Sequence, residues 1–141
     1  MQYYLLLYLI NKAFCDNILA VRIVILIMIG EKMYYTYMIR CSDNSIYTGM
    51  TNNIDKRLSE HLTNKGAKYT KSHQAEKLES VWRSKNKSLA CKLEYQIKQL
   101  TKKQKEDLIC GEKLSTFLQG KIDCRRYYRI KELKNNGTEI I

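Results

Sequence analysis

The chain contains no proline, so its turns have to be made from Gly, Asn, Asp and Ser, which suits a compact fold. It also lacks any Cys-x-x-Cys pair. Cys15, Cys41, Cys91, Cys110 and Cys124 are widely spaced and odd in number, which argues against structural zinc and against a disulfide framework. They suit a reducing cytoplasm, each as a small apolar packing residue. No uninterrupted apolar run reaches the roughly 20 residues that span a bilayer. The two apolar stretches, 3–10 and 18–29, are separated by Lys12, Asp16 and Asn17, and the second is broken by Arg22. The basic start and small-residue cleavage site of a signal peptide are not evident, and neither is an internal repeat or a low-complexity linker. Acidic residues are scarce, 14 against 25 Lys plus Arg, for a formal charge of +11. A basic surface of this kind attracts polyanions by releasing counterions from phosphates, although lysines also serve solubility.

What remains is enough for one domain with a modest core and some flanking sequence. Residues 1–32 differ in composition from the rest. They are expected to lie outside the functional domain, either because the natural start is Met33 or as an anchor, so that membrane association is confined to residues 1–29. That segment holds only Lys12, Arg22 and Lys32 of the basic residues, with Asp16 and Glu31, so the positive excess belongs to the domain.

Residues 34–40 and 45–50 have strand character, and Cys41-Ser42-Asp43-Asn44 between them is turn material, so the pair reads as a β-hairpin. Tyr37 and Tyr47 are then brought onto neighbouring strands, with Gly49 leaving backbone space beside the second. Asn52 and Asn53 can cap a helix over 54–62, whose buried stripe is expected at Ile54, Leu58 and Leu62, with Arg57 and His61 sharing an adjacent face. Residues 63–73 read as a loop, 78–83 as a third strand with Val81 and Trp82 in the core, and 87–100 as a helix presenting Leu89, Leu93 and Ile97. Glu94 falls at the edge of that buried face. Thr101 and Gln104 fit a capping box that starts a helix over 102–109, ended by Gly111. The expected domain is 33–111, followed by a basic extension at 112–141.

Tyr35-Thr36-Tyr37, Tyr47-Thr48-Gly49, Arg57, His61 and Glu94, in this order, resemble the GIY-YIG nuclease family, particularly its short stand-alone bacterial members. The first triplet keeps only the final tyrosine of Gly-Ile-Tyr, and the second differs only in its middle residue. The resemblance covers roughly residues 34–110. It implies a small α/β (α+β) domain, a three-stranded, largely antiparallel sheet flanked by helices. It also implies a divalent-metal-dependent endonuclease acting in DNA repair or processing, with Mg2+ or Mn2+ as cofactor.

On this resemblance Glu94 is the metal ligand, and Tyr47 takes the proton from the attacking water. A phenol, with an ordinary pKa of about 10, needs nearby cations for that task. Arg57, with its planar fork, suits the phosphate; Tyr37 orients water or phosphate; His61 hydrogen-bonds a tyrosine or relays a proton. Taken singly each has a plainer reading, as core tyrosine, solvated arginine, structural histidine, or a glutamate paired with Lys98. Lys65, Lys68 and Lys71 around Tyr69 suit phosphate contact and base stacking. Lys102, Lys103 and Lys105, with Arg125, Arg126 and Arg129, are further candidates against a reading as solvated faces. No base-reading motif occurs, so selection by shape or strandedness of DNA is expected, with RNA left open. No obligate protein partner is evident. The alternative is a non-catalytic nucleic-acid-binding protein on the same fold.

Overall fold

The computed structural model describes residues 32–131. The apolar stretches at 3–10 and 18–29 lie outside the described residues, together with the anchor expectation that rests on them. Among the described residues no helix is long and apolar enough to cross a membrane.

Strands β1 (Tyr34–Cys41), β2 (Ile46–Thr51), β3 (Ala75–Ser84) and β4 (Tyr128–Arg129) form one antiparallel sheet in the order β2-β1-β3-β4. The central strand β1 has four consecutive residues, Thr36 to Ile39, without solvent exposure. Side chains alternate across a strand, so such a run needs cover on both faces of the sheet. On one face Met38 and Trp82 pack with Leu89, Leu93 and Ile97 of α3 (Lys87–Lys98) and Leu108 of α4 (Lys102–Ile109). On the other, Tyr37, Ile39, Leu78 and Val81 pack with Ile54 of α1 (Ile54–Leu62). The sheet thus divides a larger structural core from a smaller one.

Helix starts follow their caps. The Asn53 side chain accepts from Lys56 N at 3.0 Å to begin α1, and Asn86 accepts from Leu89 N at 2.9 Å to begin α3. The capping box of Thr101 and Gln104 opens α4, and Gly111 at φ 116° follows its end. Both bounds of α1 and α4 coincide with those expected from sequence.

Five expectations are corrected. The inward stripe of α1 is Ile54, Leu58 and His61, while Leu62 is half exposed. At about 100° per residue, position 61 returns to within about 20° of position 54, whereas position 62 has drifted by about 80°. Residues expected to form part of a loop make α2 (Lys68–His73), and the sheet has a fourth strand. The unit also does not end at Gly111: Leu114 and Leu118 of α5 (Leu114–Leu118), Ile122 and Tyr127 join the core of Met38 and Trp82, and Tyr127 Oη donates to Leu89 O at 3.1 Å. Finally, Arg129, expected to contact nucleic acid, donates to the carbonyls of Leu108 and Ile109 and lies over the Trp82 ring. Leu108 O also accepts from Gly111 N, whereas Ile109 O has no backbone donor at the helix end, and a further bond to Ser80 Oγ leaves the guanidinium committed inside the fold.

One buried side-chain polar atom among the described residues has no partner, the Thr48 hydroxyl on β2. An unsatisfied buried hydroxyl costs about 1–3 kcal/mol, and valine fills the same volume without it. Thr48→Val is expected to stabilise the protein by about 1 kcal/mol, raising the midpoint of thermal unfolding by several degrees in a calorimetric scan.

Candidate active site

The site lies over the smaller core, where register and helix phase bring distant residues together. Tyr37 of β1 pairs across the sheet with Gly49 of β2, and Tyr47 stands one step along the same face, opposite Ile39. A Cβ on Gly49 would sit 2.6 Å from Tyr37 Oη and 2.9 Å from a Tyr47 ring carbon. The glycine therefore makes room for both rings, and chiefly for Tyr37. The two rings are 6.3 Å apart, and the Tyr47 ring is 5.1 Å from the imidazole of His61.

Helix α1 brings two residues, one turn apart, against these tyrosines. His61 Nε2 is hydrogen-bonded to Tyr37 Oη at 2.8 Å, and Arg57 Nε donates to the same oxygen at 3.3 Å. Arg57 Nη1 donates to Glu60 at 2.8 Å, which leaves Nη2 without a partner among the described residues. Tyr37 and His61 have no solvent exposure, whereas the Arg57 side chain keeps 30% of its surface in water. The guanidinium thus bridges a buried phenol and the solvent.

Burial pushes the Tyr37 phenol above its ordinary range; the hydrogen bond from Arg57 opposes this, and the charges of Tyr47 and Glu94 add to it. Tyr37 is accordingly a neutral hydrogen-bonding group and no proton acceptor at neutral pH. Its partner behaves in the same sense. Burial, with the positive charge of Arg57, pulls His61 down to about 4, so the imidazole is neutral.

The sign of the stability effect follows from that shift. Between the ordinary value of 6.5 and the folded value of about 4, the unfolded chain binds a proton that the folded chain excludes. The contribution of neutral His61 is complete above pH of about 6.5 and is lost as pH falls toward 4, on the order of 3–4 kcal/mol in all. Urea unfolding at pH 4.5 and 7.5 is expected to show a smaller pH dependence for His61→Gln than for the unaltered chain.

On its open side the site continues into α2. The Tyr69 ring stacks on Tyr47 at 5.9 Å and on His73 at 4.2 Å, and His73 Nδ1 meets Asp43 Oδ2 in the hairpin turn at 2.5 Å. Tyr69 is 41% exposed, and Lys65, Lys68 and Lys71 are exposed around it. Of the basic clusters expected from sequence, this one adjoins the tyrosines. Lys102, Lys103 and Lys105 sit on α4, and Arg125 and Arg126 on the short turn Cys124–Arg126; both elements belong to the opposite core. Lys105 is half-buried, and Arg125 is paired with Asp123 at 3.0 Å.

Glu94 comes from α3, which packs against β1 and the edge strand β2. Its charge acts on Tyr37, but it makes no hydrogen bond to the tyrosines or to Arg57. Its Oε1 accepts instead from Lys98 Nζ at 2.6 Å, the helix pair that the four-residue spacing permits. Hydrogen bonds therefore join Tyr37, Arg57 and His61 in one cluster, ring packing adds Tyr47, and Glu94 stands apart from that network.

The GIY-YIG catalytic domain matches residues 33–107. The chain belongs to the GIY-YIG nuclease family. It is 47% identical over 100 residues to a UPF0213 protein of Fusobacterium nucleatum, covering 71% of this chain and 97% of that protein. A UPF0213 protein of Oceanobacillus iheyensis is 46% identical over 79 residues, 56% of this chain and 92% of that one. The solution NMR structure of the UPF0213 protein BH0048 from Bacillus halodurans is 34% identical, covers 62% of this chain and 97% of that chain, and superposes with a TM-score of 0.38.

GIY-YIG nucleases generally use divalent metal ions, and the donors present can be compared with that chemistry. Among the described residues no group of three or more His, Cys, Asp or Glu side chains gathers. Glu94, with 20% of its side chain exposed, offers a single carboxylate. A small hard cation such as Mg2+ is commonly held by one or two carboxylates, with water and substrate phosphate filling the remaining positions. One carboxylate fits such an ion and does not fit a zinc site.

Two residues of this GIY-YIG site escaped the sequence reading. Thr70 is 1% exposed and hydrogen-bonded to His61 Nδ1 at 2.7 Å, and Gly66 is the point where the backbone crosses the imidazole. A Cβ there would collide with Nδ1 and lie 2.9 Å from His61 Cα. The sequence signal was a glycine and a threonine inside a lysine cluster, which charge alone assigns to solvent.

Proposed function

We propose that this GIY-YIG protein is a divalent-metal-dependent DNA endonuclease, selecting its substrate by shape or strandedness, in DNA repair or processing. The observation that carries this reading is the set Arg57, Tyr37 and His61, hydrogen-bonded beneath Tyr47. The Tyr47 side chain is only half-buried, and its hydroxyl has no hydrogen-bond partner among the described residues.

Hydrolysis of a phosphodiester needs an activated water, a counter-charge for the phosphoryl oxygens and help for the departing oxygen. Tyr47 is the group that takes the proton from water, because its oxygen is uncommitted while that of Tyr37 is held from both sides. Arg57 faces the phosphate with the N–H groups that Tyr37 and Glu60 leave free, and its charge also acts on both phenols. Tyr37 and His61 hold Arg57 and Tyr47 in place from below. Glu94 would hold the divalent ion, which when bound would supply charge neutralisation for the phosphate and the departing oxygen.

Substrate meets α2, where Lys65, Lys68 and Lys71 contact phosphates and the exposed face of Tyr69 offers a stacking surface for a base. Such contacts read no sequence.

The test incubates the full chain with single-stranded, duplex and flap DNA, and with single-stranded RNA, in Mg2+ or Mn2+. Cleavage that stops with EDTA and is absent from a parallel Glu94→Gln preparation supports the proposal. Binding without cleavage of any substrate favours the non-catalytic reading.

A further inference from the structure

We propose that Thr70 is a positioning residue: it fixes which nitrogen of His61 carries the proton and, through His61, which way the Tyr37 hydroxyl points. The structural part rests on geometry alone, and its catalytic consequence rests on the nuclease reading above.

The order of protons follows from groups that can only donate or only accept. Thr70 Oγ1 lies 2.9 Å from the carbonyl of Ala67, which can only accept, so the threonine proton is directed there. The lone pairs of that oxygen then face His61 Nδ1 at 2.7 Å, and Nδ1 has to donate. A neutral imidazole has one N–H, so Nε2 is an acceptor and Tyr37 Oη, at 2.8 Å, donates to it. Arg57 Nε, a donor only, closes the far end on the same phenolic oxygen. Protons thus run one way, from Arg57 to Tyr37 to His61 to Thr70 to the Ala67 carbonyl. These positions are assigned from the hydrogen-bond network.

The opposite tautomer breaks the chain twice. With the proton on Nε2, the Tyr37 hydroxyl proton has no acceptor, because Arg57 has none to offer. The bare Nδ1 meets a hydroxyl whose proton is already committed. Thr70, His61 and Tyr37 are each 0–1% exposed, and the backbone at Gly66 closes against the imidazole.

The consequence is chemical. A Tyr37 proton directed inward leaves the phenol as a fixed dipole and keeps it from acting as the base, which leaves that role to Tyr47. Thr70 also sits between Tyr69 and Lys71 on α2, so the helix proposed to meet the substrate is the one that sets the buried phenol.

The experiment compares Thr70→Val, which keeps the shape and loses the hydroxyl, with Thr70→Ser, which keeps the hydroxyl. 15N NMR of the His61 ring in the full chain is expected to show Nδ1 protonated in the unaltered protein and in Thr70→Ser, and a shift toward Nε2 protonation in Thr70→Val. Cleavage by Thr70→Val is expected to fall in kcat by about tenfold, the scale of losing a group that orients a histidine, with KM within about twofold and recovery in Thr70→Ser. A proton on Nε2 in the unaltered protein overturns the assignment. So does a Thr70→Val protein that keeps either the original tautomer or the original kcat. If no protein cleaves, the unaltered one included, the nuclease reading falls, and the ring spectra still decide the positioning role.

Discussion

Arg57→Ala is expected to slow strand cleavage by about 10²–10³-fold, the loss typical of removing one preorganised donor to a transition-state oxyanion. Two roles meet in this side chain. Its Nε holds the Tyr37 oxygen, and the N–H groups beyond Glu60 are open to the substrate. Arg57→Lys is expected to recover little of the loss, because an ammonium is a point donor and cannot span a phenol and a phosphate in one plane. The fold should tolerate both changes. Arg57 is partly exposed, and its pair with Glu60 lies on the surface of α1, where such pairs contribute little. Single-turnover cleavage rates, read beside melting temperatures, decide the matter: a full rate in either variant removes Arg57 from the phosphate.

Local rules made much of the fold legible. Asn53 and the Thr101–Gln104 box are caps whose side chains carry their own geometry, and the structure shows each one formed. The hairpin was readable from two strand-like runs and turn residues between them. What local rules missed depends on partners far along the chain. KYTKSH has no apolar periodicity, so α2 had no signal of its own; its side chains are held by Tyr47 and His61. β4 is two residues long, below any pattern, and is held by pairing with Trp82 and Arg83.

The same division runs through the site. Arg57 and His61 share a face by spacing alone, and their contact with Tyr37 follows from α1 lying over β1. The eight-residue step from Ile54 to Leu62 misled, because an exact four-residue repeat drifts round a 3.6-residue helix and hands the inward position to His61. Charge patterning grouped Arg129 with Arg125 and Arg126, yet its guanidinium is claimed by the end of α4. Basic residues beside aromatics look alike whether the acceptor is a phosphate or the carbonyls at a helix end.

Glu94→Gln is expected to reduce cleavage by at least about 10³-fold, because the stabilisation that a bound divalent ion gives a phosphoryl transition state is worth several kcal/mol and each 1.36 kcal/mol is tenfold in rate. Glutamine keeps the length and helix propensity of the side chain and gives up the negative charge, so packing in the larger core is untouched. The structural loss is the pair with Lys98, a half-exposed contact one turn away that contributes about 0.3–0.5 kcal/mol at most. Large loss of rate with an unchanged melting temperature separates a ligand from a structural helix residue. Because one carboxylate holds a hydrated cation weakly, the metal concentration needed for half-maximal rate should fall as DNA supplies further oxygens. A readout free of turnover comes from Mn2+, whose unpaired electrons broaden nearby amide resonances. Broadening centred on residues around Glu94 in the unaltered protein, and absent in Glu94→Gln, places the ion; broadening that is the same in both, or unimpaired cleavage in the variant, assigns the metal elsewhere.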